Sequence, residues 1–365
     1  MKDEPRLYES EAEASRDPDE VPIRDRRLIT QPYDLAVEAL MEQISAETMF
    51  LRPLSERPEF QRRYVWSNQL ASRLIESILL NVPIPPCYLS QNEEFELDVI
   101  DGQQRLFSIY RFVENQFELS GLEVLTEYIG SRFFEIPDRL QRRIKTHTLR
   151  CVLITNESHP EIKFDVFQRL NTNTVPLNAQ ELRNCIYRGS LNSLLKEAVE
   201  YEPWLAILKR RHPDKRMRDE ELVLRFFAFQ LHGLQSYRTP QKHWLNDTAQ
   251  KGRHYSPKRI GELRDVWRHA IDVSLVWFDA QDCFRRGGEP KSRVINRALF
   301  DLVMLLAAKT TAARAGNVRT KLRKRYKSLF DDEEFVDLIS KSVDHTRRTK
   351  RRFAIWERHV VDQLG

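Results

Sequence analysis

The sequence predicts an α+β chain, with a mixed N-terminal domain followed by an all-helical C-terminal domain. Three observations predict it. Between residues 60 and 190, short β-like runs alternate with runs of helical period. After residue 190 the β signals nearly vanish. No internal repeat at a solenoid period offers a different architecture. Residues 1–28 hold nine acidic and six basic residues with few large apolar ones, which predicts a flexible tail. The expected division is therefore a tail at 1–28, a mixed domain at 29–190 and a helical domain at 191–365.

Each element has its own signal. Leu35, Val37, Leu40, Met41 and Ile44 have helical spacing between Asp34 and Phe50. Ser67 is placed to cap a helix carrying Leu70, Leu74, Ile75, Ile78 and Leu79. That helix must stop before Pro83-Ile84-Pro85-Pro86, because proline disfavours helix at the residue before it. Cys87–Leu89 and Phe95–Ile100 read as strands flanking a turn at Gln91-Asn92-Glu93. Asp101-Gly102 turns into a helix with Leu106, Ile109, Tyr110 and Val113, and Leu149–Ile154 is a third strand. Helices with Ile162, Val166, Phe167 and Leu170, then Leu182, Ile186 and Tyr187, close the region. Beyond it, Glu221–Leu231, Pro257–Phe284, Val294–Lys309 and Phe353–Leu364 read as helices, with loops at 236–256 and 286–292. Trp204, Trp244, Trp267, Trp277 and Trp356 lie in helical contexts and are expected in the core.

Composition narrows the function classes. The 365 residues suffice for a sizeable core, and 41% hydrophobic with 31% charged residues is globular. With 59 basic against 54 acidic residues the formal net charge is +5, which suits an anionic partner without demanding one. The cleanest apolar run, Leu302–Ala308, is far shorter than the roughly 18 residues that cross a bilayer. Met1-Lys2-Asp3-Glu4-Pro5 lacks the apolar core of a signal peptide. Cys87, Cys151, Cys185 and Cys283 form no CxxC pair, so neither a zinc site nor a disulfide framework is expected, and the cytoplasm is the natural setting. The glycines open no GxxxxGK[ST] loop and no GxGxxG turn, and there is no GxSxG or HExxH. Lone histidines such as His147 and His232 receive no catalytic reading.

Three segments carry the chemical signal. In Asp101-Gly102-Gln103-Gln104-Arg105-Leu106, a strand ends in Asp-Gly and a helix opens. Backbone N–H groups at a helix start form an anion site by geometry and dipole. Gly102 allows a sharp turn and a close approach, Gln103 and Gln104 add amides, and Arg105 adds a planar fork suited to phosphate. Asp101 repels anions. It therefore reads as a Mg²⁺ ligand, a base for an attacking water, or a lock on a neighbouring arginine. A plainer alternative has Asp101 capping the helix and Arg105 in solvent. The second segment, Phe60-Gln61-Arg62-Arg63-Tyr64-Val65-Trp66, sets Arg62 and Arg63 among aromatics that can stack on a base. The third, Phe167 to Asn178, places Arg169 and Asn171 at a helix end beside a Thr/Asn-rich loop.

In this order and spacing the segments resemble the N-terminal domain of GmrSD-type restriction endonucleases. The resemblance covers roughly 30–235 and includes the Pro-Ile-Pro-Pro run, the Asp-Gly-Gln-Gln-Arg-Leu signature, Phe167 to Asn184, and Arg218 to Phe227. It implies a ParB/sulfiredoxin-like fold, NTP binding with hydrolysis, and a role in bacterial defence systems that cut foreign or modified DNA. Carried over, Asp101, Gln104 and Arg105 would be catalytic and Asp101 would hold Mg²⁺. Gly102, Gln103, Arg62, Arg63, Arg169 and Asn171 would bind the nucleotide. Fused family members carry a C-terminal HNH nuclease half. Residues 236–365 show no such pattern, so cleavage by this chain alone is not expected: either a separate nuclease subunit is needed or the output is not cleavage.

Basic stretches point to the partner. Residues 314–327 hold Arg314, Arg319, Lys321, Arg323, Lys324, Arg325 and Lys327 with no acid, and residues 347–352 read Arg-Arg-Thr-Lys-Arg-Arg. Both are candidate DNA-backbone contacts, the alternative being solvated helix faces balanced by Asp331-Asp332-Glu333-Glu334. The leading expectation is an NTP-binding, NTP-hydrolysing, DNA-associated component of a restriction or anti-phage system, compatible with an oligomer. A non-hydrolysing ParB-like switch or DNA-binding adaptor is the second reading. A metal-dependent nuclease using Asp101 is the third.

Overall fold

The structure is a computed structural model that describes residues 27–51, 66–170, 178–286 and 294–364. The chain divides into two compact units between residues 177 and 178, ahead of the division expected at 190.

The N-terminal unit contains strands β1 (Thr30–Pro32), β2 (Leu35–Ala36), β3 (Met49–Phe50), β4 (Cys87–Gln91), β5 (Leu97–Asp101), β6 (Thr148–Leu149) and β7 (Cys151–Ile154). Its helices are α1 (Val37–Ser45), α2 (Asn68–Leu80), α3 (Gln103–Val113), α4 (Asp138–Thr146) and α5 (Pro160–Leu170). Five strands form one mixed sheet in the order β1-β7-β4-β5-β3, and β2 pairs with β6. The β4–β5 hairpin is antiparallel, whereas β4 runs parallel to β7. Alternation sorts the faces: Cys87, Leu89, Leu97, Val99, Cys151 and Leu153 enter one core with the apolar stripes of α1 to α4. On the other face α5 packs against β5, and buried Lys163 donates from Nζ to the Gln91 carbonyl at 2.9 Å.

The cap expected at Ser67 is present, its hydroxyl accepting from the Leu70 N–H at 3.3 Å. Leu70 itself is exposed, and Ala71 takes its place beside Leu74, Ile75, Ile78 and Leu79 on the buried stripe. A buried carboxylate interrupts that stripe. Glu76 accepts backbone N–H groups of Val124 and Leu125 at 2.8 Å each, fixing a long loop to the helix. Phe95 belongs to the hairpin turn rather than the strand. Its φ is +62°, and Asn92 closes the turn through the Glu96 N–H at 2.8 Å. The expected strand 149–154 is split at Arg150, where Cys151 N–H turns to Asp34 Oδ1 at 3.1 Å.

The second unit is built of helices α6 (Ala179–Ile186), α7 (Ser190–Val199), α8 (Glu202–Leu208), α9 (Arg218–His232), α10 (Gln241–Lys251), α11 (Pro257–Trp277), α12 (Arg297–Lys309), α13 (Ala312–Ser328), α14 (Glu333–Leu338) and α15 (Thr346–Trp356), with a final π-type turn at Glu357–Val361. The five tryptophans expected inside are buried, and Trp204 meets Trp267 at 5.3 Å between ring centroids. Helix α10 occupies what reads in sequence as a loop. Its buried face mixes Trp244, Leu245 and Ala249 with Gln241, His243, Asn246 and Thr248, which hides the apolar period. Of the loop expected at 286–292, residues 287–292 lie outside the described residues. Among the described residues no helix is long and apolar enough to cross a membrane.

An ionic cluster sits inside this unit. Arg225 grips Asp301 through Nε and Nη2, both at 2.7 Å, and reaches Asp344 through Nη1 at 2.7 Å. Arg352 adds a contact to Asp301 at 3.4 Å and donates to the Val343 carbonyl. Arg297 lies 3.5 Å from Asp344. Such pairing and hydrogen bonding offset the cost of burying these charges, although Arg352 Nε is left without a hydrogen-bond partner.

Candidate functional site

The Asp101–Arg105 turn is built by a bulge and a glycine. Along the hairpin Leu89 faces Val99, but Tyr88 faces Asp101, so Ile100 is the extra residue and Asp101 is re-aimed at the strand end. Gly102 then adopts φ +94°. A Cβ there would stand 2.4 Å from Cys87 Sγ, so a side chain is excluded by both conformation and space. Helix α3 opens at Gln103 with no acidic residue in its first turn, and the Gly102 carbonyl accepts from Leu106 N–H at 2.9 Å. The N–H groups ahead of that bond have no intrahelical partner and carry the positive end of the helix dipole.

Arg105 folds back over the turn. Its Nη2 donates to Asp101 Oδ2 at 2.8 Å and to the Pro86 carbonyl at 3.3 Å, and its Nη1 donates to the Pro85 carbonyl. Only 15% of its side chain is exposed, against 39% for Asp101. Of the roles open to Asp101, the geometry shows the lock on a neighbouring arginine. The plainer alternative is corrected: Asp101 caps nothing, since Gly102 is the N-cap without a side-chain bond, and Arg105 is not in solvent. Sequence reasoning missed the partners of Arg105. Two successive prolines offer carbonyls and no N–H, which is the signal that could have found them. Nothing in the sequence pointed to Cys87 beneath Gly102. Cys87 is the register partner of Cys151 across β4 and β7. Its hydrogen bond, together with burial, pushes the Cys151 thiol up, so Cys151 stays protonated.

Gln103 and Gln104 are half-buried on the first turn of α3. Arg169 is exposed in the last turn of α5. Arg62, Arg63 and Asn171 lie outside the described residues. Asp101 belongs to no group of three candidate metal ligands among the described residues.

The rest of the third motif serves the helical unit. Asn178 caps α6 in a reciprocal box with Glu181 and donates to the Arg216 carbonyl at 2.6 Å. Arg216 pairs with Glu181 at 3.1 Å. Buried Arg183 binds Glu221 at 2.8 Å and Asn246 at 2.9 Å, and Asn184 donates to Glu220 at 2.6 Å. Burial pushes the nearby Asp219 carboxyl up to about 6. Arginines 210 and 218 flank Asp214 at 2.8 and 2.7 Å, and they hold its carboxyl below the ordinary range against the opposing effect of burial.

The two basic stretches differ. In α15, Arg352 is buried, Arg348 binds Asp337 at 2.6 Å and Arg351 binds Glu334 at 2.6 Å, so this stretch is largely internal pairing. Helix α13 buries Ala315, Val318, Leu322 and Tyr326 and exposes Lys321, Lys324 and Lys327. Arg323 turns to Asp279 at 3.1 Å.

Residues 40–188 match the family described as GmrSD restriction endonuclease, N-terminal domain. No curated protein and no solved structure matches the chain. The matched stretch runs from within α1 to just past α6 and contains the Asp101–Arg105 turn. Residues 40–188 are thus a GmrSD N-terminal domain, as their motifs had led us to expect.

Proposed function

We propose that the Asp101–Arg105 turn binds the phosphates of a nucleoside triphosphate, and that the chain is an NTP-hydrolysing, DNA-associated component of a bacterial restriction or anti-phage system. One observation carries the reading: a strand ends in a left-handed glycine that opens α3, whose first turn holds no acid. The ParB/sulfiredoxin-like relationship implied by the motifs belongs to the same reading. Phosphate oxygens would meet the backbone N–H groups at the start of α3, with Gln103 beside them. Gln104 would orient water. Asp101 has a second carboxylate oxygen beyond the one bonded to Arg105, and Mg²⁺ sites on phosphates need only one or two protein carboxylates. When bound there, Mg²⁺ would neutralise phosphate charge. Arg62, Arg63, Arg169 and Asn171 are proposed to close on the nucleotide, and a separate nuclease subunit to cut DNA.

A second reading has an observation of its own. The Arg105 guanidinium is already engaged by Asp101, Pro85 and Pro86, so it holds the turn together rather than reaching outward. That favours a nucleotide switch or adaptor without turnover.

The test is phosphate release from ATP, GTP, CTP and UTP with Mg²⁺, with and without DNA, beside equilibrium nucleotide binding. Wild type is compared with Asp101→Ala and Arg105→Ala, each checked for an unchanged thermal midpoint. Turnover reduced roughly 100-fold or more in Asp101→Ala supports hydrolysis at this turn. Tight binding without turnover selects the switch. Absence of binding by any of the four nucleotides overturns both.

A further inference from the structure

Cys87 and Cys151 stand side by side and have no part in the proposed phosphate chemistry. Each opens its strand, β4 and β7 run parallel, and the two residues are register partners. Both thiols are free, and both side chains enter the same core. Neighbouring strands lie roughly 4.8 Å apart, inside the span of about 4.4–6.8 Å between Cα atoms that a disulfide bridges. The two thiols are hydrogen-bonded to each other. No CxxC pair announces them in the sequence, because only the pairing of β4 with β7 brings them together.

The pair is asymmetric. The point that a Gly102 Cβ would occupy is 2.4 Å from Cys87 Sγ and 3.3 Å from Arg105 Nη2, so sulfur and guanidinium both border the turn. The Cys151 hydrogen bond and Arg105 hold the Cys87 thiol below its ordinary range, against burial and Asp101. Cys151 keeps its proton. One thiol is thus the better nucleophile and the other its proton-bearing neighbour, an arrangement that suits oxidation to a disulfide. Both are buried, so an oxidant reaches them only when the structure opens. They lie at the end of the sheet where β5 runs into the Asp101–Arg105 turn, with Gly102 against Cys87. Lifting that turn is a local opening, which costs less than unfolding the unit.

We propose that Cys87 and Cys151 are a redox site, which hydrogen peroxide converts to a cross-strand disulfide through opening of the Asp101–Arg105 turn. The Cys87 sulfur attacks the peroxide, the O–O bond breaks, and Cys87 becomes a sulfenic acid. The departing hydroxide leaves as water with the Cys87 proton. The Cys151 sulfur then attacks the Cys87 sulfur, the S–O bond breaks, and the second oxygen leaves as water with the Cys151 proton. Two thiols lose two electrons and one peroxide is reduced to two waters. The bridge draws the Cys87 sulfur towards Cys151 and away from Gly102. The site does not rest on the nucleotide reading.

The test treats the full chain with hydrogen peroxide under native conditions. Remaining thiols are alkylated in denaturant, and the digest is read by mass spectrometry before and after dithiothreitol. We expect a bridged Cys87–Cys151 peptide pair that the reductant separates, with Cys283, buried in the helical unit, recovered as the alkylated thiol. In Cys87→Ala, Cys151 should react with peroxide roughly ten-fold more slowly than in wild type. Gly102→Ala, which forces the turn off the sulfur, should form the bridge faster by about the same factor. Wild-type protein alone can overturn the proposal. Both thiols recovered unmodified after prolonged exposure would do so, as would Cys87 carried to sulfinic acid without a bridge. A bridge that forms only in denaturant would do the same.

Discussion

Gly102 is held by two independent constraints, a backbone at φ +94° and Cys87 Sγ 2.4 Å from where a Cβ would stand. Gly102→Ala should therefore destabilise the N-terminal unit by about 1–3 kcal/mol in urea unfolding. Adding Cys87→Ala removes the sulfur but leaves Cys87 Cβ at 3.0 Å and the backbone strain, so recovery should be partial. A double variant no better than Gly102→Ala alone would show that the sulfur contact is unimportant. The demand for glycine was legible, because a strand running into a helix through Asp-Gly needs a tight turn. The setting of Arg105 was not. Its partners are main-chain carbonyls of Pro85 and Pro86, and carbonyls have no letter in the sequence. The same geometry gives Asp101 the last of the roles open to it, the lock on an arginine.

Among the elements, α9 shows how a helix can be read correctly in position and incompletely in content. Its apolar period was plain, yet Arg225 projects from it into the core to meet Asp301 and Asp344. Arg225→Met leaves both carboxylates without their main partner and should cost about 3–5 kcal/mol at neutral pH. Burial alone would raise the Asp344 carboxyl, but Arg297 and Arg225 hold it well below the ordinary range. A depressed carboxylate contributes stability above its unfolded value, near 3.9, and loses it as pH falls further. The penalty of Arg225→Met should thus shrink below about pH 4. Chemical unfolding of both proteins at neutral and acid pH checks this, and a pH-independent penalty would contradict it. Helix α15 carries the same lesson from the other side. Of the run of cations that reads as a nucleic-acid contact, Arg348, Arg351 and Arg352 pair with Asp337, Glu334 and Asp301; Glu334 lies in the acidic stretch that the sequence offers as a balance, whereas Asp301 is brought close only by folding. Helix α10 escaped notice because four of its seven buried positions are polar.

On the scale of the whole molecule, the two-part architecture was legible because the change from period two to helical period is a property of long stretches. On the helical unit, α13 exposes Lys321, Lys324 and Lys327 along one helix. If the proposed DNA association runs through this helix, replacing the three lysines with alanine should weaken binding to all sequences alike. The slope of log affinity against log salt should fall by roughly 2–3. Fluorescence anisotropy at several salt concentrations measures both, and an unchanged slope would move the contact elsewhere. The exact place of the division between the units was less legible, and it has a practical meaning. The family match ends at residue 188, yet the fold changes hands at 178. Helix α6 is read with the strands but is pinned by Arg216, Glu220, Glu221 and Asn246. A hybrid that keeps one protein's front half through residue 188 and grafts on a foreign back half would inherit three orphaned polar anchors, Glu181, Arg183 and Asn184. Joining at 178 keeps every one of them with its mate, so the interchangeable parts of this protein are defined by who pairs with whom rather than by where sequence similarity stops.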